Sequence, residues 1–89
     1  MLIPIYQKKF IKDIEKAKKR GLNTEKIKKI MNMIINQHAL PTKNRNHKLQ
    51  GDYIGYWECH VEPDWLLIYK TTSTEVFFAR TGTHSDLFA

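Results

Sequence analysis

The sequence has few residues that cross-link or sharply bend a chain: one cysteine, three prolines and four glycines among 89 residues. The single cysteine, Cys59, excludes an internal disulfide and any cysteine-rich zinc module, as in proteins of a reducing cytoplasm. With 42% hydrophobic residues, the composition is typical of an ordered globular fold rather than a disordered chain. We therefore expect an ordered cytoplasmic protein without disulfides.

A long hydrophobic run is also absent. No uninterrupted apolar segment approaches the length of a membrane span. The first residues, MLIPIYQKKF, place their charges after the short apolar stretch, whereas an export signal places them before it. We expect a soluble, unexported protein without a membrane partner. A chain of this length buries one modest core, which predicts a single domain over residues 1–89.

Acidic residues are scarce in the first half of the chain. Residues 1–48 contain thirteen Lys or Arg against three Asp or Glu, a net charge of +10, whereas residues 49–89 carry a net charge of −4. Basic charge concentrated in one half suggests a polyanionic partner, because Lys and Arg neutralise phosphates. A solvated helical surface explains the same charges equally well.

The first half has the pattern of a short strand followed by two helices. Residues 2–6 predict a strand, which Pro4 confines to a sheet edge or a strand end. Apolar residues then recur at helical spacing in two segments, separated by Gly21 and ended by Pro41. The two stripes are Phe10, Ile14 and Ala17, then Ile27, Ile30, Met31, Ile34 and Ile35. Because the connection is short, we expect a helical hairpin packed on a sheet.

The second half has the pattern of a loop followed by an antiparallel meander. Residues 42–52 are polar and rich in turn formers. Three extended runs at 53–60, 65–70 and 76–80 are rich in aromatic and β-branched residues. Turn-forming residues at 62–64 and 71–74 separate the runs. The predicted class is therefore α+β, with both helices packed on one face of the sheet.

Several titratable residues of the second half fall at the ends of the predicted elements, where functional groups concentrate. They are His47, His60, Asp64, Arg80 and His84. A hairpin would hold His60 close to Asp64, and Arg80 ends the strand that precedes His84. One edge of the sheet can therefore collect an acid, a base and a cation.

Such a set suits RNA cleavage without a metal. Histidine can transfer the two protons because its ordinary pKa of roughly 6.5 lies near working pH. Arginine matches the geometry of a phosphate and keeps its charge. Trp65 and Phe88 could stack on RNA bases, and Lys48 is a further predicted substrate contact. Each residue also has a structural explanation, and strand alternation would equally place Trp65 in the core.

Zinc is the main rival to this interpretation, because His47, His60, Asp64 and His84 are all competent ligands. The sequence contains no compact ligand pair such as CxxC or HExxH. Strand alternation sends Cys59 and His60 to opposite faces. We therefore expect neither a metal nor another cofactor.

The segment from His47 to Phe88 contains HKLQGDYIGYWECHVEPDWLLIY followed by RTGTHSDLF, and it resembles the YafQ-like branch of the RelE/ParE toxins. The resemblance covers close to half of the chain; the first half matches only in general character. It implies a RelE-like fold, a small antiparallel sheet backed by a helical hairpin. It also implies an endoribonuclease that cleaves mRNA on the ribosome and is inhibited by a cognate antitoxin. A toxin–antitoxin complex able to bind operator DNA is a further expectation.

The resemblance implies a role for each matching residue. His60 and His84 would transfer protons, and His84 is the stronger candidate for the general acid. Asp64 would orient a histidine, Arg80 would hold the scissile phosphate, and Phe88 would help to place a base.

Two other positions matter to the resemblance. His47 opens the matching segment and is counted among the catalytic candidates. Trp57 departs from the family, because relatives often carry a basic residue just before the acidic, Cys and His run. One phosphate contact is therefore missing or replaced by a stacking surface, which affects cleavage preference more than the reaction.

Two functions from other classes stay open. One is a ParE-like toxin that poisons DNA gyrase by binding, against which three histidines and an arginine at one edge argue. The other is a non-catalytic RNA-binding module. Fragmentation of RNA on expression would separate both from a nuclease.

Overall fold

The computed structural model describes residues 1–88, so Ala89, the last residue of the predicted domain, lies outside the described part. A five-stranded sheet and three α-helices are formed. In chain order they are β1 (Ile3–Tyr6), α1 (Lys8–Lys19), α2 (Thr24–Ile35), β2 (His47–Lys48), β3 (Trp57–Glu62), β4 (Trp65–Thr71), β5 (Glu75–Gly82) and α3 (His84–Phe88). No helix among residues 1–88 is long and apolar enough to cross a membrane.

The predicted α+β class is confirmed, including the helical hairpin and the antiparallel meander. The strand order is β1-β5-β4-β3-β2, and β2 to β5 pair antiparallel. β1 pairs parallel to β5, which makes the sheet mixed. Pro4 lies in this edge strand, as its missing N–H requires.

The two long helices cover one face of the sheet. α1 packs over β5, and α2 packs against β3. The side chain of Asn23 caps α2 by accepting a hydrogen bond from the Glu25 backbone N–H (3.0 Å). The main core lies between the helices and this face; its buried members are Leu2, Phe10, Ala17, Ile27, Ile30, Ile34, Cys59, Trp65, Leu67, Tyr69, Val76 and Phe78.

The opposite face of the sheet carries a second, smaller apolar cluster. Its buried members are Leu66, Ile68, Ala79 and Leu87. Leu87 comes from α3, and the loops before β3 contribute further partly buried residues, namely Leu49, Tyr53 and Tyr56. β4 is therefore covered on both faces, which explains its nearly continuous hydrophobic sequence.

A β-bulge in β5 decides which side chains reach this second face. Tyr69 pairs with Phe78 and Ile68 pairs with Arg80, so Ala79 is an extra residue between the two pairs. Phe78 faces the helices. Plain alternation would send Arg80 to the same side, but the bulge places it on the opposite face.

Three features of the structure differ most from the predicted elements. The strand predicted at 53–60 begins only at Trp57, because Gly51–Tyr53 forms a 3-10 turn and Gly55 adopts φ +90°. The predicted loop at 42–52 contains the short strand β2. α3 was not predicted, because five residues give too short a pattern for helical periodicity.

Candidate functional site

The predicted histidines lie on the sheet face opposite the two long helices. Cross-strand partners point to the same face, and the register aligns His47 with Glu58, then Ile68 and Arg80. The next row contains His60, which pairs with Leu66. Alternation along β3 sends Cys59 into the main core, as predicted, and His60 to the site.

A buried carboxylate lies between two of the histidines. Glu58 Oε1 is 3.4 Å from His47 Nε2 and 3.6 Å from His60 Nε2, and the side chain of Glu58 is 7% exposed. Nδ1 of His47 donates to the Arg45 carbonyl (2.7 Å), and Nδ1 of His60 donates to the Pro63 carbonyl (3.2 Å). Each ring therefore presents Nε2 toward Glu58, which can accept a hydrogen bond from either ring when that ring is protonated.

The third histidine is held by a different kind of acceptor. Nδ1 of His84 donates to Asp64 Oδ1 (2.7 Å), and the same oxygen accepts the His84 backbone N–H (2.9 Å). The backbone N–H, followed by the imidazole, holds the pKa of the Asp64 carboxyl below its usual range. The ring centroids of His60 and His84 are 5.8 Å apart. Asp64, in the turn between β3 and β4, thus orients the side chain of His84, which follows β5.

α3 begins with a reciprocal cap that fixes the position of His84. Thr83 Oγ1 accepts from the Asp86 N–H (3.1 Å), and Asp86 Oδ2 accepts from the Thr83 N–H (3.0 Å). Arg20, the residue that follows α1, donates two hydrogen bonds to the same carboxylate, at 2.7 and 3.1 Å. Asp86 consequently has a pKa well below its usual range, chiefly because of Arg20.

Arg80 shares the face with the histidines, but an acid on α1 holds its guanidinium. Nε donates to Asp13 Oδ2 (2.7 Å) and Nη2 donates to Asp13 Oδ1 (3.3 Å). Asp13, with a smaller contribution from Tyr53, raises the pKa of Arg80 above its usual value. Arg80 therefore stays charged and is held by Asp13 at the edge of the site.

Phe88 lies near the end of α3 and is 47% exposed. Its ring packs edge-on against Tyr53, with centroids 5.9 Å apart. Tyr53 also packs edge-on against Tyr56 (6.0 Å). Phe88 and Tyr53 therefore form a partly exposed aromatic surface beside Arg80.

The structure does not bring two of the predicted substrate contacts into the site. Trp65 is 3% exposed and donates from Nε1 to Thr81 Oγ1 (2.9 Å), so the prediction that it stacks on a base is wrong. Alternation places it with Leu67 and Tyr69 on the helix side. Lys48 pairs with Trp57 and lies 5.6 Å from its ring centroid, on the face opposite His47.

Three side chains could hold a metal ion. One ligand atom from each of Glu58, His60 and His84 lies within 4.8 Å of the others. Two imidazoles and a carboxylate form a donor set that suits zinc. The same three groups could equally transfer protons, since both ring systems keep Nε2 free of a backbone partner.

Sequence reasoning missed three residues of this site. Glu58 stands beside the predicted His60, and its burial in a β-strand shows only when the strands are paired. Asp13 lies 67 positions from Arg80, so no local pattern connects them. Asp86 could have been found, because Thr83 and Asp86 have the spacing of a capping box.

Comparisons with known proteins agree with this fold. Residues 3–89 match the family described as "Bacterial toxin of type II toxin-antitoxin system, YafQ". The "mRNA interferase toxin YafQ" of Escherichia coli K12 is 45% identical over 84 residues, which cover 93% of this chain and 91% of the relative. The crystal structure of YafQ from E. coli BL21(DE3) matches all of both chains with a TM-score of 0.95 at 41% identity.

A second solved structure includes an antitoxin. In the E. coli DinJ–YafQ toxin–antitoxin complex, the matching chain has a TM-score of 0.92 and 43% identity, with 99% of this chain and 98% of that chain covered. The family match spans nearly the whole sequence, and the identity to the relative exceeds what a shared fold alone requires. The chain belongs to the YafQ family of bacterial toxins of type II toxin–antitoxin systems.

Proposed function

We propose that this chain is an mRNA interferase, an endoribonuclease that cleaves mRNA by acid–base catalysis without a metal. The observation that carries the proposal is the pair of imidazoles on one face, His60 and His84, with centroids 5.8 Å apart. One is held by a neutral carbonyl and the other by a carboxylate. Such unequal environments suit a base and an acid acting together.

In the proposed reaction, the ribose 2′-oxygen attacks the adjacent phosphorus and the bond from phosphorus to the 5′-oxygen breaks. Nε2 of His60 takes the proton from the 2′-hydroxyl, and Glu58 faces the charge that forms on the ring. His84, oriented by Asp64, protonates the leaving 5′-oxygen. The products are a 2′,3′-cyclic phosphate and a 5′-hydroxyl, so protons and electrons balance within the pair of rings.

Cationic and aromatic side chains around the pair supply the substrate contacts. The free N–H groups of Arg80 face the charge that builds on the phosphate. Phe88 stacks on a base. A cleft of about 400 Å³ opens beside His60, and Lys43 and Arg45 are among the residues that line it. Bound RNA follows this cleft, and the ring of His47 lies 6.5 Å from the ring of His60.

The partners follow from the family. A DinJ antitoxin accompanies the E. coli relative in its complex, so a cognate antitoxin that covers the catalytic face is proposed for this chain. The proposed substrate is mRNA on the ribosome, with the basic helices facing ribosomal RNA. We also propose that the toxin acts in the cytoplasm and that residues 1–89 form one domain. The toxin–antitoxin complex is proposed to bind operator DNA.

A metal-dependent nuclease is the second candidate, and the Glu58, His60 and His84 group favours it. A metal would activate a bound water rather than the 2′-hydroxyl. Hydrolysis of that kind commonly leaves a 5′-phosphate, so the ends of the products distinguish the mechanisms. Gyrase poisoning and simple RNA binding predict no cleavage.

The test is cleavage of mRNA on ribosomes by His60→Ala and His84→Ala, with His38→Ala as the matched control. His38 lies after α2, outside the site. Each site variant should lose on the order of 10² to 10⁴ in rate, whereas the control keeps its activity. The wild-type products should carry a 5′-hydroxyl, also after metal has been removed from the toxin. Full activity of folded His84→Ala, or a 5′-phosphate on the products, would contradict the proposal.

A further inference from the structure

We propose that Asp13 of α1 is a positioning residue, which orients the Arg80 guanidinium toward the scissile phosphate. This inference rests on the proposed nuclease function. It assigns a role in the reaction to the helical hairpin, which the charge pattern alone linked only to RNA binding.

The contact is a two-point clamp. Both carboxylate oxygens of Asp13 bind Arg80, at 2.7 Å to Nε and 3.3 Å to Nη2. A guanidinium has five N–H groups, so this arrangement occupies two and leaves three that Asp13 does not bind, for Tyr53 and for a ligand. Two parallel hydrogen bonds fix the plane of the guanidinium, which a single contact would leave free to rotate.

The carboxylate is itself fixed by the backbone. Asp13 Oδ2 also accepts the Thr81 N–H (3.1 Å), so the acid is tied to the strand that carries Arg80. β1 pairs with β5 only as far as Phe78, which leaves the strand edge beyond that residue open to α1. The bulge at Ala79 turns Arg80 away from the core at the same point.

The low exposure of the Asp13–Arg80 pair indicates that the pair orients Arg80 and does not only stabilise the fold. The side chains of Asp13 and Arg80 are 14% and 21% exposed. Ion pairs with so little exposure lose much of their attraction to the cost of desolvation. A rigid cation, by contrast, needs no reorganisation when charge develops on a phosphate. The free N–H groups of Arg80 are therefore the part of the pair that faces the reaction.

The test is a double-mutant cycle on mRNA cleavage with Asp13→Asn, Arg80→Ala and the combined variant. Asp13→Asn should lower kcat about tenfold to a hundredfold with little change in KM, because a small displacement of a catalytic group is costly. In the Arg80→Ala background the same substitution should change kcat less than about twofold. Glu15→Gln, an equal charge change on an exposed position of α1, should leave kcat unchanged.

Several outcomes would overturn the inference. One is equal losses from Asp13→Asn with and without Arg80, and another is wild-type kcat for Asp13→Asn. If Asp13→Asn does not fold, Asp13→Glu keeps the charge but moves the carboxylate by one methylene; a folded Asp13→Glu with wild-type kcat would contradict the proposal. These results leave the proposed nuclease function intact, because that function fails if the His60 and His84 variants cleave normally, if the wild type does not cleave, or if its products carry a 5′-phosphate.

Discussion

The three site histidines differ in what holds their Nδ1 atoms. His47 and His60 donate to backbone carbonyls, whereas His84 donates to the carboxylate of Asp64. A carboxylate stabilises an imidazole that carries positive charge more than a neutral carbonyl does. The contact of His84 with Asp64 (2.7 Å) is also shorter than the 3.6 Å between His60 Nε2 and Glu58, which supports His84 as the general acid and His60 as the base. The assignment of acid and base thus depends on which acceptor holds each imidazole.

Asp64→Asn should lower the cleavage rate by about 10² at neutral pH, because the orienting charge is lost. In the wild type, the rate should be bell-shaped in pH, since one imidazole must be neutral and the other protonated. Asp64 has a lowered pKa, so its contact with His84 is present above about pH 4 and is lost only as pH falls further. The titration of Asp64 should therefore not change the cleavage rate between pH 5 and 9.

The measurement is the cleavage rate against pH for the wild type, Asp64→Asn and the control Glu75→Gln, which lies at the far end of β5. Wild-type rates in Asp64→Asn would remove Asp64 from the mechanism. A cleavage rate that does not change between pH 5 and 9 would argue against His60 and His84 as the base and the acid.

Among the elements of the site, α3 is the one that would be unstable as an isolated helix. Five residues form little more than one turn, and helices so short are unstable in water. Its stability comes from the cap between Thr83 and Asp86, from Arg20, and from Leu87 in the second cluster. Asp13 of α1 and Arg20, the residue after α1, therefore contact two different parts of the proposed site, Arg80 and Asp86.

Asp86→Ala should lower the free energy of unfolding by about 1 to 2 kcal/mol, because the cap is lost. Cleavage should fall as well, since His84 and Phe88 belong to the same helix. The lowered pKa of Asp86 means that its contribution is fully present above about pH 4 and is lost as pH falls below that value. Loss of stability in acid should accordingly be steeper for the wild type than for the variant.

Denaturant unfolding at pH 7 and pH 3 measures both effects, with Ser85→Ala, an exposed neighbour in α3, as the control. If Asp86→Ala were as stable as the wild type at pH 7, the cap would have no part in holding α3. A difference that persisted unchanged at pH 3 would exclude the ionised carboxylate as its source.

For the whole molecule, the dominant feature is the division of charge between the halves of the sequence. The basic half forms the helical hairpin and the loop that leads into β2, and the acidic half forms most of the sheet. Some cations are paired within the fold, such as Lys16 and Arg20 with Asp86. The remaining positive field is large enough to speed the approach of an acidic partner.

Association with the cognate antitoxin should therefore slow as salt is raised, while dissociation changes less. We expect the antitoxin to cover the face that holds His60, Arg80 and His84, with acidic side chains opposite the basic surface. Stopped-flow association rates at several salt concentrations measure the effect. A rate that is indifferent to ionic strength would remove the electrostatic part of this prediction.

The amino-acid sequence by itself determined the class of the fold and identified the histidines, Asp64 and Arg80 as candidate residues of the site. Helical and alternating periodicities are local properties, so they located both long helices and the meander. Pro4 confined β1 to a sheet edge or a strand end, because a proline cannot donate to a ladder. The residue types that suit RNA cleavage were also visible, together with the segment that resembles YafQ-like toxins.

Only the tertiary structure decided which of these residues meet. The parallel pairing of β1 with β5 joins segments that are about 70 residues apart, and no local pattern specifies it. The bulge at Ala79 overrides alternation and turns Arg80 toward the site, whereas plain alternation buries Trp65. Asp13 contacts Arg80 at the part of β5 that lies beyond its pairing with β1. The physical reason is that periodicity fixes a side chain's face within one element, whereas pairing, bulges and edges depend on packing between elements.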